Sequence, residues 1–194
     1  MQKNEGPSRQ AWVAAGMSAL VSGGIEAVKI ERLAAALGIS KGPFYWRFAD
    51  RGELLAAMID FWKRELTESL IEQTRHHKTP EKRLRALAEE SLIPDVGQLD
   101  VAKAECALRA WAATDALPRA AVREVDIRRI SHVAAEFVLI GAPPKLAKQL
   151  SRAIYIALLG LYTVRQYTPE LADDRAFMMA INIAIREAKR HGMA

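Results

Sequence analysis

Apolar positions recur three and four residues apart along most of the chain, a spacing that predicts helices. In the first of them, Trp12, Gly16, Ala19 and Leu20 share a face; Pro7-Ser8 supplies the start and Gly23-Gly24 the stop. A second helix over about 29–37 carries Ile30, Leu33, Ala34 and Leu37 and ends at Gly38, which can take a left-handed C-cap. Ser40 can cap a short third helix, Lys41 to Phe48. Asp50 with Glu53 forms a capping box for a long fourth helix, Arg51 to about Arg75. Thr79-Pro80 opens a fifth, ending before Pro94, and Asp100 a sixth, reaching about Thr114. Pro118 opens a seventh, which runs to Gly141-Ala142-Pro143-Pro144. The eighth spans Pro144 to Tyr167, and Asp173 or Asp174 caps a ninth to about Arg190. With 34 alanines against 10 valines, composition favours helix over strand. The expected fold is all-α, with about nine helices.

A length of 194 residues lets such a fold bury roughly 70% of its unfolded surface. Hydrophobic residues at 51% and charged residues at 26% exclude both a disordered tail and a membrane protein. The longest apolar run, Ala153 to Val164, has 12 residues and is too short to span a bilayer. No secretory signal opens the sequence, and a single cysteine, Cys106, excludes an internal disulfide and a Cys-based zinc site. These features predict a soluble cytoplasmic protein. The net charge is +5, and residues 1–52 hold seven Lys/Arg against four acids. The basic density therefore sits at the N-terminal end, which permits a polyanionic partner.

The stretch Lys29–Leu37, Gly38-Ile39-Ser40, Lys41–Phe48 has helix-turn-helix syntax, in which the second helix enters the major groove. Phe44 and Phe48, one turn apart, form an inward pair, whereas Lys41 and Tyr45 lie on a different side, next to Trp46. An exposed aromatic surface of this kind also suits a protein–protein adaptor.

Residues 9–55 resemble, without a gap, the DNA-binding domain of the TetR (tetracycline repressor) family. The resemblance rests on Ala15-Gly16, Gly23-Gly24, Ile30, Leu33-Ala34, Gly38-Ile39-Ser40-Lys41-Gly42, Phe44-Tyr45, Phe48 and Arg51-x-Glu53-Leu54-Leu55. It implies that Ser40, Lys41, Gly42, Pro43, Tyr45 and Trp46 face DNA and that Arg47 and Arg51 contact phosphate. The family's hydroxyl residue at the start of the second helix is missing. Val28 and Lys29 stand there, so Lys29 is expected to supply the charge instead. The resemblance further implies a helix-turn-helix domain over 1–50 and a helical ligand-binding and dimerisation domain over 51–194.

The C-terminal part holds no phosphate loop, metal motif or nucleophile elbow, so neither an enzyme nor a cofactor or metal site is expected. The eighth helix has one stripe of Leu150, Ile154, Ala157, Leu158 and Leu161 and a second of Tyr155, Ile156, Leu159 and Tyr162. Helices apolar nearly all round need partners on two sides. Those residues of the first stripe, with Gly160, Phe177, Ile181 and Ile185, are expected to form a homodimer interface like the family's. Glu105 and Arg109 lie four apart, and Asp126 falls in the apolar stripe Val122, Ile130, Val133, Phe137. Buried charges must be paired, so these three either form a structural network or orient a polar ligand. With Met58, Trp62, Leu108, Trp111, Phe137 and Tyr155 they are the candidate lining of an effector pocket. The expected function is a ligand-responsive regulator, a repressor that binds a palindromic operator as a homodimer and is released by a small-molecule inducer. The alternative is a helical adaptor using Tyr45 and Trp46.

Overall fold

A computed structural model describes residues 6–192, and the described chain is all-α apart from one minute hairpin. Helix α1 (Arg9–Gly23) starts where Ser8 Oγ accepts the Ala11 N–H at 3.2 Å. Helix α2 (Ile30–Ala36) closes in a Schellman turn: Gly38, at φ +70°, sends its N–H to Ala35 O, and Ile39 sends its own to Ala34 O. Helix α3 (Arg51–Lys63) begins as expected, with Asp50 Oδ1 accepting the Glu53 N–H at 2.9 Å. The return bond is displaced by one residue, since Glu53 Oε2 takes the N–H of Ala49.

The rod predicted from Arg51 to about Arg75 is continuous but not regular. A π-helical turn, Arg64–Glu68, separates α3 from α4 (Ser69–Thr74). Thr79 caps α5 (Pro80–Ser91) and Asp100 caps α6 (Val101–Thr114). Between them Asp95–Val96 pairs antiparallel with Leu99–Asp100 through a two-residue turn, a hairpin the helical periodicity does not announce. Helix α7 (Ala116–Ile140) starts two residues before Pro118. Asp115 caps it by accepting the Leu117 N–H at 2.9 Å, and Pro118 falls in the first turn, where its missing donor costs nothing. Helix α8 (Pro144–Tyr167) has the predicted bounds, and Asp173, not Asp174, caps α9 (Asp174–Gly192). Among the described residues no helix is long and apolar enough to cross a membrane.

The chain packs as two compact units. The first takes the residues up to Arg64 and adds Asp95–Ala121; in it α1 packs on α2, α3 and α6. Helices α1 and α3 approach closely at Gly16, where an added Cβ would lie 2.7 Å from Met58 Sδ. The second unit takes Glu65–Pro94 and the residues from Val122 onward, with α5 and α8 both packed on α9. Its core joins Leu84, Phe137, Phe177, Ile181 and Ile185, with Leu150, Ile154, Leu158 and Leu161 half-buried against them.

Candidate nucleic-acid interface

The segment after the Gly38 turn is shorter and tighter than an α-helix from Lys41 to Phe48: it is a 3₁₀ helix, Gly42–Trp46. Pro43 sits in its first turn, Lys41 is at its N-cap, and no side chain caps it; Ser40 therefore is not the cap but an exposed turn residue. One α-type bond, from Phe48 N–H to Phe44 O, closes the segment.

Two aromatic rings anchor it. Phe44 and Phe48 are buried and stacked 5.2 Å apart, and Trp12 of α1 meets Phe44 edge-on at 5.1 Å. The inward pair is therefore as the spacing predicts. Fixing those two rings turns the neighbouring side chains outward, leaving Trp46 74% and Tyr45 54% exposed. Lys41 is exposed too, its Nζ 3.7 Å from Glu31 Oε1, a loose surface pair that costs little to break. Gly42 is exposed and Pro43 half-buried beside them. Lys29 caps α2 with backbone only and keeps its side chain in solvent.

The arginines differ from one another. Arg47 is half-buried and donates from Nε to Pro7 O at 3.4 Å. Arg9 holds the same corner: it donates to Arg47 O at 2.9 Å and to Glu53 Oε1 at 2.8 Å, over the face of Phe48. The Ala49 N–H and this guanidinium hold the Glu53 carboxyl below its usual range. Arg51 turns inward, donating from Nε to Val28 O at 2.6 Å and from Nη2 to Ile25 O at 2.9 Å.

Residues 13–58 match the sequence pattern of bacterial regulatory proteins of the tetR family. Residues 13–58 are thus a TetR-type DNA-binding head. Solved structures with the same fold include a transcriptional regulator from Rhodococcus sp. Rha1, at 19% identity and a TM-score of 0.78, covering 97% of this chain and 99% of that one. A TetR-family regulator from Streptomyces coelicolor aligns at 16% identity and a TM-score of 0.76, over 93% of this chain and 89% of its own. A regulator from Saccharomonospora viridis, solved in complex with choline, aligns at 16% identity and a TM-score of 0.76, over 92% and 95%. No curated protein is significantly similar to the chain. A TetR-family head makes the protein a transcription regulator.

The residues expected to line a TetR-type effector pocket divide between the two units. In the first, Glu105 is only 1% exposed, yet it is saturated: Trp62 Nε1 donates to one carboxylate oxygen at 3.0 Å and Arg109 grips the other at 2.8–2.9 Å. Met58, Leu108 and Trp111 are buried in the same unit, and Trp111 Nε1 reaches Asp115 at 3.0 Å. In the second unit, Tyr155 donates to Asp126 Oδ1 at 2.7 Å and accepts from Arg129, while Phe137 is fully buried in the core. His132 is half-buried there, and burial pushes its pKa down against the pull of Glu136. An open groove of about 610 Å³, lined by Arg85, Arg175, Arg186, Asp174, Asn182 and two methionines, involves none of these residues.

The residues expected at a dimer interface differ in exposure within the single chain. Phe177, Ile181 and Ile185 are closed inside the protomer's own core, because α9 presents that face to α5 and α8. Leu150, Ile154, Leu158 and Leu161 lean on the same core and keep only their edges outside. Of the nine residues, Ala157 and Gly160 are exposed, and a Cβ on Gly160 would meet nothing within 4 Å. Large apolar side chains left exposed on these helices include Ile156, 68% exposed on α8, and Met179 and Ile183 on α9.

Proposed function

We propose that this TetR-family regulator is a repressor that binds a palindromic operator as a homodimer and is released by a small organic effector. Residues 1–50 would read DNA; residues 51–194 would hold the effector and the partner copy; the protein would act in the cytoplasm. The observation that carries this reading is the short 3₁₀ segment, whose buried Phe44 and Phe48 leave Lys41, Tyr45 and Trp46 facing solvent. A large exposed tryptophan and tyrosine beside a cation have the chemistry of a groove contact: flat faces for a thymine methyl or the sugar–phosphate backbone, and an ammonium for guanine O6 and N7. Lys29, Arg47 and the backbone around Ser40, Gly42 and Pro43 would position that segment on phosphates. Support for the dimer is the apolar line of Ala153, Ile156, Ala157 and Gly160, which the protomer leaves uncovered. Support for an effector is the fold shared with a regulator solved in complex with choline.

Selection of bound duplexes from a random pool tests this directly. A two-fold symmetric consensus is expected. If about 6–10 phosphates are neutralised, affinity should fall by roughly 10³–10⁵ between 50 and 200 mM salt. Lys41→Ala should cost about 1–3 kcal/mol on the preferred site and relax the preference at one or two G·C pairs per half-site. A pool that returns no duplex would sink the reading and leave the adaptor surface of Tyr45 and Trp46 in its place.

A further inference from the structure

The long-range hydrogen bonds of Arg51 give it a task other than gripping DNA. Its guanidinium occupies the first helical position of α3 and reaches back over twenty residues to the connection between α1 and α2. That connection is one 3₁₀ turn, Ile25–Ala27, whose own bonds are few: Ala27 N–H to Gly24 O, Val28 N–H to Ile25 O, and Lys29 N–H to Ala27 O. No side chain caps this turn or the helix that follows it. Arg51 supplies the missing tie, with Nε on Val28 O and Nη2 on Ile25 O, while the Val28 side chain is fully buried beneath. Two parallel bonds from a planar fork fix direction as well as distance, which a flexible ammonium cannot do.

We propose that Arg51 is a positioning residue of the reading head: it clamps the Ile25–Val28 turn and so sets where Lys29 and the start of α2 meet the phosphate backbone. This rests on the DNA-binding reading above. It assigns the Arg51 cation to the protein's own carbonyls, and leaves the phosphate work at this corner to Lys29. The absence of a hydroxyl at the start of α2 is consistent with it. Where no side chain grips both phosphate and helix, the helix needs its place fixed from elsewhere.

The test uses the full-length chain and the duplex selected above, with Arg51→Lys as the decisive variant because it keeps the charge and removes the fork. Operator affinity of Arg51→Lys should fall about tenfold, as expected when a charge-assisted bond pair is removed, at an unchanged slope of log affinity against log salt. Arg51→Met should behave the same way. Lys29→Ala, the control, should flatten that slope by about 0.9 for each phosphate it no longer neutralises. Without DNA, amide exchange at Ala27, Val28 and Lys29 should quicken in Arg51→Lys while the amides of α1 and α3 keep wild-type protection. Wild-type affinity in Arg51→Lys, or a flattened slope in Arg51→Met, would make Arg51 a phosphate ligand and overturn the proposal. Exchange that accelerates across the whole head, or nowhere, would overturn it as well. Because the exchange measurement needs no DNA, it decides the clamp even if no duplex is found.

Discussion

Glu105 shows how one side chain can be read twice. From spacing alone it is half of an i, i+4 pair with Arg109 on a helix surface, a contact of a few tenths of a kcal/mol. Once buried, it becomes the acceptor for two elements, Trp62 of α3 and Arg109 of α6. Glu105→Ala should therefore cost about 3 kcal/mol, because the carboxylate that accepts from Trp62 Nε1 is gone and a buried ion pair is broken from one side. Glu105→Gln, which retains an acceptor, should cost less. Urea unfolding checks both: the midpoint should drop with the slope m unchanged. Gly16 is a quieter case. The sequence places it on the apolar face of α1, but only the 2.7 Å approach to Met58 explains why that position carries no side chain.

At the scale of elements, α5 is held to α9 by an ion pair at its first turn. Glu81 Oε1 lies 2.7 Å from Lys189 Nζ, and the lysine bond, with the helix's own N–H, lowers the Glu81 pKa from 4.5 to about 2. The unfolded chain binds that proton more tightly than the folded one. The pair's stabilisation is thus present above pH 4.5 and is lost as pH falls from 4.5 towards 2. Lys189 is half-exposed and Glu81 only partly buried, which keeps the effect small. Lys189→Met should lower stability slightly at pH 7 and not near pH 2, so that the variant and the wild type converge as pH falls, as thermal unfolding followed from pH 7 to pH 2 would show. The helix ends themselves were legible because they are local: Ser8, Asp50, Thr79 and Asp100 each cap the N–H three residues on, whatever the rest of the chain does. The π-helical turn at Arg64–Glu68 and the 3₁₀ form of the reading segment were not legible. Both alter which backbone groups pair without altering the apolar spacing.

For the whole molecule, the outward line of α8 sets the oligomeric state expected of the protein. Ala157→Glu and Gly160→Glu place a carboxylate where the protomer itself is open, so each variant should fold as the wild type does. In a close-packed dimer the same carboxylate is buried without a partner. Sedimentation should show monomers, and operator binding should drop because each half-site alone is held weakly. A dimer that survives both substitutions would move the interface to another face.

The sequence by itself determined most of the helices, the caps at Ser8, Asp50, Thr79 and Asp100, the tight Gly38 turn and the inward Phe44–Phe48 pair, since each depends on residues within one or two turns. It also carried the TetR signature, a local string. Only the tertiary structure decided which apolar stripe goes inside. Phe177, Ile181 and Ile185 look as sticky as Met179 and Ile183 in a periodicity, and burial goes to whichever face α5 and α8 reach. Arg51 follows the same logic. Its partners lie 23 and 26 residues back, and a guanidinium facing carbonyls cannot be told from one facing phosphate until the chain has brought the two together.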